Sequence, residues 1–467
     1  MTTIETTAGP AISSDLAATL GTLREVHHTA RTRPLAWREA QLKGIAAMLE
    51  EREVEFTDAL TADLGRGADE SYLGDIAGTN GEIAYALKHL RRWVRPSKVG
   101  LPLAQLPGRA SVAYEPLGTV LIIGPWNYPV YLTLSPLVAA LSAGNCAVVK
   151  PSEHAPATSA VLARRLPEYV DSDAVKVIEG GPEVTQELLG LGFDHALFTG
   201  GTDVGRLVLA GAASSLTPVT LELGGKCPAL VAPDADLDVV ARRIAWVKLM
   251  NSGQMCIAPD HVIVHSSVKD ALVSRIVETL KEFRSDLPDA GQRIVNERQF
   301  DRLKGYLDAT RGTVVAGGGH DRAALTIEPT VILDPAADEP SMSEEIFGPI
   351  LPIVTYDSLD DVIAGAKRKP KPLAFYLFSG SKQTQQRVID EVSAGAVVVN
   401  HVAQHCLIPG LPLGGVGASG MGAYHGRFGF ETFSHRKAVL VKRFKPDLKF
   451  VYPPYTEKTL KLLRRLA

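Results

Sequence analysis

Residues 116–149 run for 34 positions without one charged side chain, and that stretch limits what the chain can fold into. Either it crosses a bilayer, which takes about 20 apolar residues in one helix, or it lies inside a large buried core. Gly124, Pro125, Pro129, Pro136 and Gly144, with Asn127 and Asn145, interrupt it repeatedly. Proline removes a helical donor and clashes with the preceding turn, so the composition argues against a single membrane helix. A strand, a turn, a buried helix and a second strand use the same residues as punctuation. A core of that size needs a long chain, and 467 residues at about 150 per domain allow two large domains or three smaller ones. The composition is that of a soluble globular protein, 45% hydrophobic and 22% charged. Lys+Arg 49 against Asp+Glu 52 leaves a net charge of -3, so no global field favours nucleic acid or an anionic membrane.

Residues 1–14 carry no basic segment followed by an apolar one, which predicts no secretory leader and a cytoplasmic, reducing location. From residue 15 to about 95, Leu16, Leu20 and Leu23, then Leu42, Ile45 and Leu49, then Ile83, Leu87 and Leu90 recur at helical steps. This predicts an antiparallel helical lead-in. Short apolar runs then alternate with amphipathic segments and predict strands over 119–123, 146–150, 174–179, 195–199 and 219–223. A second series follows over 229–232, 261–265, 351–355, 374–378 and 396–400. Strand and helix in alternation imply parallel sheets built from βαβ units, hence two α/β domains in tandem. Residues 439–442 read as an edge strand, and 458–465 as a basic amphipathic end.

Four cysteines, Cys146, Cys227, Cys256 and Cys406, show no C-x-x-C spacing, which argues against a disulfide framework and against a thiolate metal site. Cys256 differs from the others in following Asn251-Ser-Gly-Gln-Met, a glycine-containing loop after a helical stretch over 239–250. Backbone donors and freedom from a packed core favour a thiolate nucleophile there. In Val219-Thr-Leu-Glu-Leu-Gly-Gly225, Glu222 either faces solvent or, if the strand is buried on both faces, is a desolvated carboxylate fit to act as a general base. Asn127, between Pro125 and Pro129, is either a turn residue or a fixed neutral donor for an oxyanion. Lys150 and Glu153 leave a strand at its C-terminal end, where open sheets bind ligands, and could hold a ribose or form a solvated turn. Gly200, Gly201 and Gly205 open a helix whose free amides could hold a phosphate, although the spacing fits neither a P-loop nor G-x-G-x-x-G. Glu345 and Phe347 would share a face if extended.

Taken in order, Pro125-Trp-Asn127, Lys150-Pro-Ser-Glu153, Phe198-Thr-Gly200, Glu222-Leu-Gly-Gly225, Gly253-Gln-Met-Cys256 and Glu345-Ile-Phe347-Gly-Pro resemble the aldehyde dehydrogenase superfamily over nearly the whole chain. The stretch from Leu413 through Gly426, with Phe430-Glu-Thr-Phe-Ser-His435 and a short N-terminal arm, is similar to the class 3 and fatty-aldehyde branch. The resemblance implies an α/β fold with two Rossmann-type parallel-sheet domains and a small β oligomerisation arm. It divides the chain into a NAD-binding domain (1–97 and 118–224), a catalytic domain (225–412), and bridging strands with a tail (98–117 and 425–467). Cys256 would attack the aldehyde, Asn127 and the Cys256 amide would hold the oxyanion, hydride would pass to nicotinamide, and Glu222 would activate water against the thioester. Ile123, Gly124, Pro125, Trp126, Lys150, Ser152, Glu153, Gly200, Gly201, Gly205, Leu223, Gly224, Glu345 and Phe347 would bind the cofactor. Glu153 would repel a 2′-phosphate and favour NAD, with NADP possible.

Departures from the family pattern bear on the substrate. Met255 stands beside the nucleophile where relatives carry a small polar residue, and Gly201 and Cys227 replace commoner polar residues. Tyr128, Trp246, Met250, Met255 and Ile257 flank the catalytic residues without Arg or Lys, which predicts an apolar aldehyde, aromatic or medium- to long-chain. Residues 401–412 are expected to shape the entrance. A homodimer is expected, with the basic tail packed on the partner subunit or, alternatively, touching a membrane. A CoA-acylating relative and a non-catalytic protein of the same fold are the competing readings, and Glu222 and Cys256 speak against them.

Overall fold

The computed structural model describes residues 14–285 and 292–466. The uncharged stretch resolves into strand Thr119–Ile123, a turn, helix Tyr131–Ala143 and strand Cys146–Lys150. Every residue of that helix is buried, including Pro136 inside it. It stops at Gly144, whose φ of 91° is the left-handed conformation that glycine adopts without strain. The buried Arg38 side chain donates to Ser142 O at 3.0 Å and so takes up a carbonyl in the helix's last turn. Among the described residues no helix is long and apolar enough to cross a membrane.

Thr119–Ile123 lies inside a six-stranded sheet in the order Gly420–Met421, Val219–Leu223, His195–Gly200, Thr119–Ile123, Cys146–Lys150, Val175–Val177. All pairs are parallel except the first. Alternate residues enter different cores: Val120, Ile122, Ala147 and Val149 join one, Leu121, Ile123, Cys146 and Val148 the other. Burial on both faces explains why these strands read as unbroken apolar runs. Each fully buried aliphatic side chain contributes about 1.5–3 kcal/mol.

The helical lead-in does not stay together as one bundle. Leu20, Leu23 and Val26 of helix Ser14–His28 cover one face of this sheet. Helices Leu35–Glu51, Glu53–Leu64 and Ala77–Trp93 cover the other through residues such as Leu42, Leu60 and Leu90. Periodicity marks a helix's apolar face but not which surface receives it. The reading of a leader-free N-terminus, and the start of the first domain at residue 1, fall on residues 1–13, outside those described.

A second sheet has seven strands in the order Thr313–Ala316, Thr330–Leu333, Ile350–Tyr356, His261–His265, Pro228–Val231, Ala374–Phe378, Ala396–Val399. Only its first pair is antiparallel. Its two faces are again buried, Ala229, Val231, Val262 and Val264 on one side and Leu230, Phe375 and Leu377 on the other. A separate antiparallel sheet joins Ser97–Val99, Gly108–Pro116 and Ser434–Lys442. The last strand begins five residues before the expected 439, because its opening Ser-His-Arg-Lys is polar and largely exposed. Helix Glu457–Leu466 realises the basic amphipathic end.

Candidate active site

Helix Leu237–Leu249 starts at Asp236, whose carboxylate accepts the Val239 N–H at 3.1 Å. It hands the chain to a tight turn in which Asn251, Ser252 and Gly253 take φ values of 48°, 52° and 70°. Left-handed backbone is rare for residues other than glycine and clusters at functional sites. A side chain at Gly253 would collide with the Gly348 carbonyl, so this turn abuts the 345–349 loop. Gln254 is buried and fixed by three hydrogen bonds, its Nε2 to Asn251 O and Arg293 O and its Oε1 from Val295 N–H. Cys256 follows, half-buried.

Asn127 comes from the other half of the molecule and reaches this loop directly. Its Nδ2 donates to Gln254 O at 3.2 Å, and its carbonyl accepts from Asn251 Nδ2 at 3.0 Å. Glu222 stands on Val219–Leu223 with Thr199 opposite on one side and Gly420 on the other. It is 4% exposed, and neither carboxylate oxygen has a hydrogen-bond partner among the described residues. The solvent-facing alternative is therefore excluded. Burial pushes its carboxyl well above the ordinary value. Its charge is close enough to act on the Cys256 thiol.

The expectation that the loop setting favours a thiolate is not met. Burial, followed by the Glu345 charge, pushes the Cys256 thiol well up, so the sulfur rests as S–H. Local sequence suggested an open loop, whereas the two halves of the molecule close around it.

The residues read as cofactor contacts lie together between the C-terminal ends of the strands. Lys150, 2% exposed, donates to Glu153 Oε2 at 2.7 Å. Partial burial works to raise the Glu153 carboxyl, but the Lys150 bond and charge outweigh it and hold it low. Ser152 Oγ accepts from His154 N–H in the same turn. Ile123 ends its strand, Gly124 N–H donates to Lys150 O at 2.9 Å, and Pro125 is buried beside them. Gly201 is the N-cap of helix Thr202–Ala213 and offers no side chain to its first amides. A Cβ at Gly205 would sit 2.7 Å from Leu223, which shows how closely this helix meets the strand. The Phe198 ring packs on Gly200, and a Cβ at Gly224 would collide with the Glu345 carboxylate. Burial raises Glu345 to about 8 against a hydrogen bond from Gly225 N–H. Trp126 and Phe347 meet edge-on with ring centroids 5.3 Å apart. Phe347 has a φ of 48°, so it and Glu345 do not share the face of an extended segment as expected. Unpaired amides at a helix start, a Lys-Glu pair and a glycine-lined approach are a donor and acceptor set that fits a dinucleotide.

A cavity of 520 Å³ adjoins Cys256 and Asn127. Tyr128, Trp246, Met250, Met255 and Ile257 all line it, as the sequence predicts, and Ala403, Gln404, Cys406 and Leu407 bring in the 401–412 loop. Sequence reasoning missed Glu70, Tyr131, Leu132, Phe283 and Gln292. Tyr131 and Leu132 belong to the uncharged stretch and read there as core. Glu70 sits in a polar helical segment that looks solvated, and no local signal sets it apart.

Comparison with known proteins bears on the scaffold that carries these residues. The model of the aldehyde dehydrogenase family matches residues 7–439. Human aldehyde dehydrogenase family 3 member B1 is 45% identical over 455 residues, covering 96% of each chain. A structure of Staphylococcus aureus AldH in a substrate-bound state superposes with a TM-score of 0.93 at 40% identity, covering 96% of this chain and 99% of that one. An indole-3-acetaldehyde dehydrogenase in complex with NAD+ gives a TM-score of 0.85 at 26% identity, covering 93% and 90%. A thiol, an asparagine amide and an unpaired carboxylate thus meet on a scaffold shared along almost its full length with such enzymes. The chain belongs to the aldehyde dehydrogenase family and is an aldehyde dehydrogenase.

Proposed function

We propose that the protein oxidises an apolar aldehyde, aromatic or medium- to long-chain aliphatic, to the free carboxylic acid, with NAD preferred over NADP. One observation supports this most. The cavity beside Cys256 and Asn127 is walled mainly by aromatic and aliphatic side chains, with Glu70, Gln292 and Gln404 as its other polar members and no Lys or Arg among the described residues. Cys256 gives its proton to solvent water as its sulfur bonds to the aldehyde carbon, while the carbonyl π pair moves onto oxygen. The Asn127 amide and the Cys256 N–H hold that oxygen. The nicotinamide ring, when bound, supplies the acceptor for the hydride that leaves this carbon. Cys256 then carries an acyl thioester. Glu222 as carboxylate takes a proton from water, the hydroxyl adds to the thioester carbon, and collapse expels the Cys256 thiolate with the acid. Glu153 and Lys150 hold the adenine ribose, with Ile123 through Trp126 and Ser152 forming the adjoining wall. The start of helix Thr202–Ala213, with Gly200, Gly201 and Gly205, receives the pyrophosphate. Leu223, Gly224, Glu345 and Phe347 seat the nicotinamide riboside, and Tyr128, Met255 and Ile257 contact the substrate.

On this reading residues 1–97 and 118–224 form the nucleotide-binding domain and 225–412 the catalytic domain. Residues 98–117 and 425–467 form the arm of a homodimer. Leu440 and Val441, half-exposed on Ser434–Lys442, and the fully exposed Phe444 beyond it supply apolar surface for that contact. A nucleophilic thiol that must stay reduced fits the cytoplasm. The test is NADH formation from a panel of aliphatic and aromatic aldehydes with either nucleotide. Parent enzyme produces NADH without CoA, Cys256→Ala does not, and equal turnover by that variant would falsify the reading.

A further inference from the structure

The turn that delivers Cys256 holds two consecutive non-glycine residues, Asn251 and Ser252, in left-handed backbone. Such a conformation persists only where surrounding contacts over-determine it. Both main-chain N–H groups of these residues are met by side chains from outside the loop. Asn251 N–H donates to Glu70 Oε1 at 2.5 Å, and Ser252 N–H donates to Gln292 Oε1 at 3.2 Å. The two acceptors are themselves joined, since Gln292 Nε2 donates to Glu70 Oε2. Ser252 Oγ adds a bond to the Gln292 carbonyl at 3.2 Å. The result is a closed ring of hydrogen bonds through a carboxylate, an amide and two successive peptide groups.

Glu70 is well placed for that task. It lies in the short helix Ala68–Ser71, four residues after Arg66 and five before Asp75. Arg66 and Asp75 are fully buried and paired at 2.6 Å, and Asp75 also accepts the Val130 and Tyr131 N–H groups at the start of the buried helix. The segment is thereby anchored to the half of the molecule that carries Asn127. Burial raises the Glu70 carboxyl above its ordinary value, against the Arg66 charge and the hydrogen bonds from Asn251 and Gln292. One carboxylate thus links that half to the loop bearing the nucleophile.

We propose that Glu70 and Gln292 are positioning residues that hold the 251–253 turn and so aim Cys256 at the bound aldehyde. This rests on the reading of Cys256 as the nucleophile. Both residues also border the substrate cavity, so the rival role is direct contact with substrate. The hydrogen-bond directions separate the two. In Glu70→Gln the new amide must donate toward Gln292, whose side chain then has to flip and oppose its own N–H to that of Ser252. In the exchange Glu70→Gln with Gln292→Glu every donor again faces an acceptor: the amide at 70 takes the Asn251 N–H and donates across, and the carboxylate at 292 takes the Ser252 N–H.

The test uses the full chain and two readouts. The first is the rate of iodoacetamide alkylation of Cys256, followed on its peptide by mass spectrometry without nucleotide or aldehyde. The second is kcat and KM for a short and a long aldehyde. Glu70→Gln is expected to slow alkylation and lower kcat by about 10- to 100-fold, the cost of roughly 1 Å of misplacement, with KM for the short aldehyde unchanged. The exchanged pair is expected to recover to within about threefold of the parent. An alkylation rate in Glu70→Gln equal to the parent's, an exchanged pair no faster than the single variant, or a change confined to KM of the long aldehyde would each overturn the proposal. If Glu70→Gln does not fold, Gln292→Ala, which leaves Glu70 on Asn251, carries the same comparison: slowed alkylation supports the clamp and a parental rate overturns it. Failure of the parent to form NADH would overturn the proposed function and leave the alkylation comparison standing.

Discussion

Glu222 is a carboxyl group, 4% exposed, whose two oxygens have no hydrogen-bond partner among the described residues, and that sets how the protein responds to pH. Burial raises its pKa in the folded state above the ordinary 4.5 that it regains on unfolding. Above that ordinary value the unfolded chain releases the proton while the folded chain keeps it, so this residue's contribution to stability falls as pH rises. Glu222→Gln removes the ionisation and keeps the shape. Relative to the parent, the variant should gain at least about 1 kcal/mol more at pH 8 than at pH 5, read by thermal unfolding at the two values. Equal differences at both would contradict the assigned burial. At this scale the residue types of the site were legible in the sequence, but their environments were not. Alternation along 219–223 left Glu222 open to solvent or core, because the strand that closes its outer side, Gly420–Met421, lies some two hundred residues away. The loop of Cys256 was read as favouring a thiolate, whereas desolvation by parts of the chain remote in sequence pushes its thiol well up.

The site's accuracy depends on where two loops touch. Gly253 combines a φ of 70° with a position where any Cβ collides with the Gly348 carbonyl. Gly253→Ala should therefore destabilise the protein by about 2 kcal/mol or more, through left-handed strain and backbone overlap together. It should also part the Cys256 loop from the 345–349 loop, with loss of turnover in the fraction that stays folded. Urea unfolding, with Cys256 alkylation counting intact sites, checks both, and parental stability would contradict the packing described. Most strands were legible because burial on both faces makes them continuous apolar runs. Thr313–Ala316 was not, since three of its four residues are exposed and it bends at an irregular register. The placement of the first helix on the opposite face of the sheet was equally hidden, as periodicity says nothing about the receiving surface.

On the scale of the whole molecule, each sheet has a buried core on both faces, and the proposed site lies where the ends of the two sheets meet. Neither half holds a complete site: Asn127 and Glu222 come from the six-stranded side, Cys256 and Glu345 from the seven-stranded side or its approaches. Along the chain the first four motifs fall on the six-stranded side and the last two on the seven-stranded side or its approaches. The central claim is that Cys256 carries the acyl group and Glu222 releases it. Its most direct test is mass spectrometry of Glu222→Gln mixed with NAD and an apolar aldehyde. A burst of NADH equal to the enzyme present, with an acyl adduct on the Cys256 peptide that persists for minutes, is the predicted result. Sustained turnover at the parental rate with Cys256 unmodified would contradict the account.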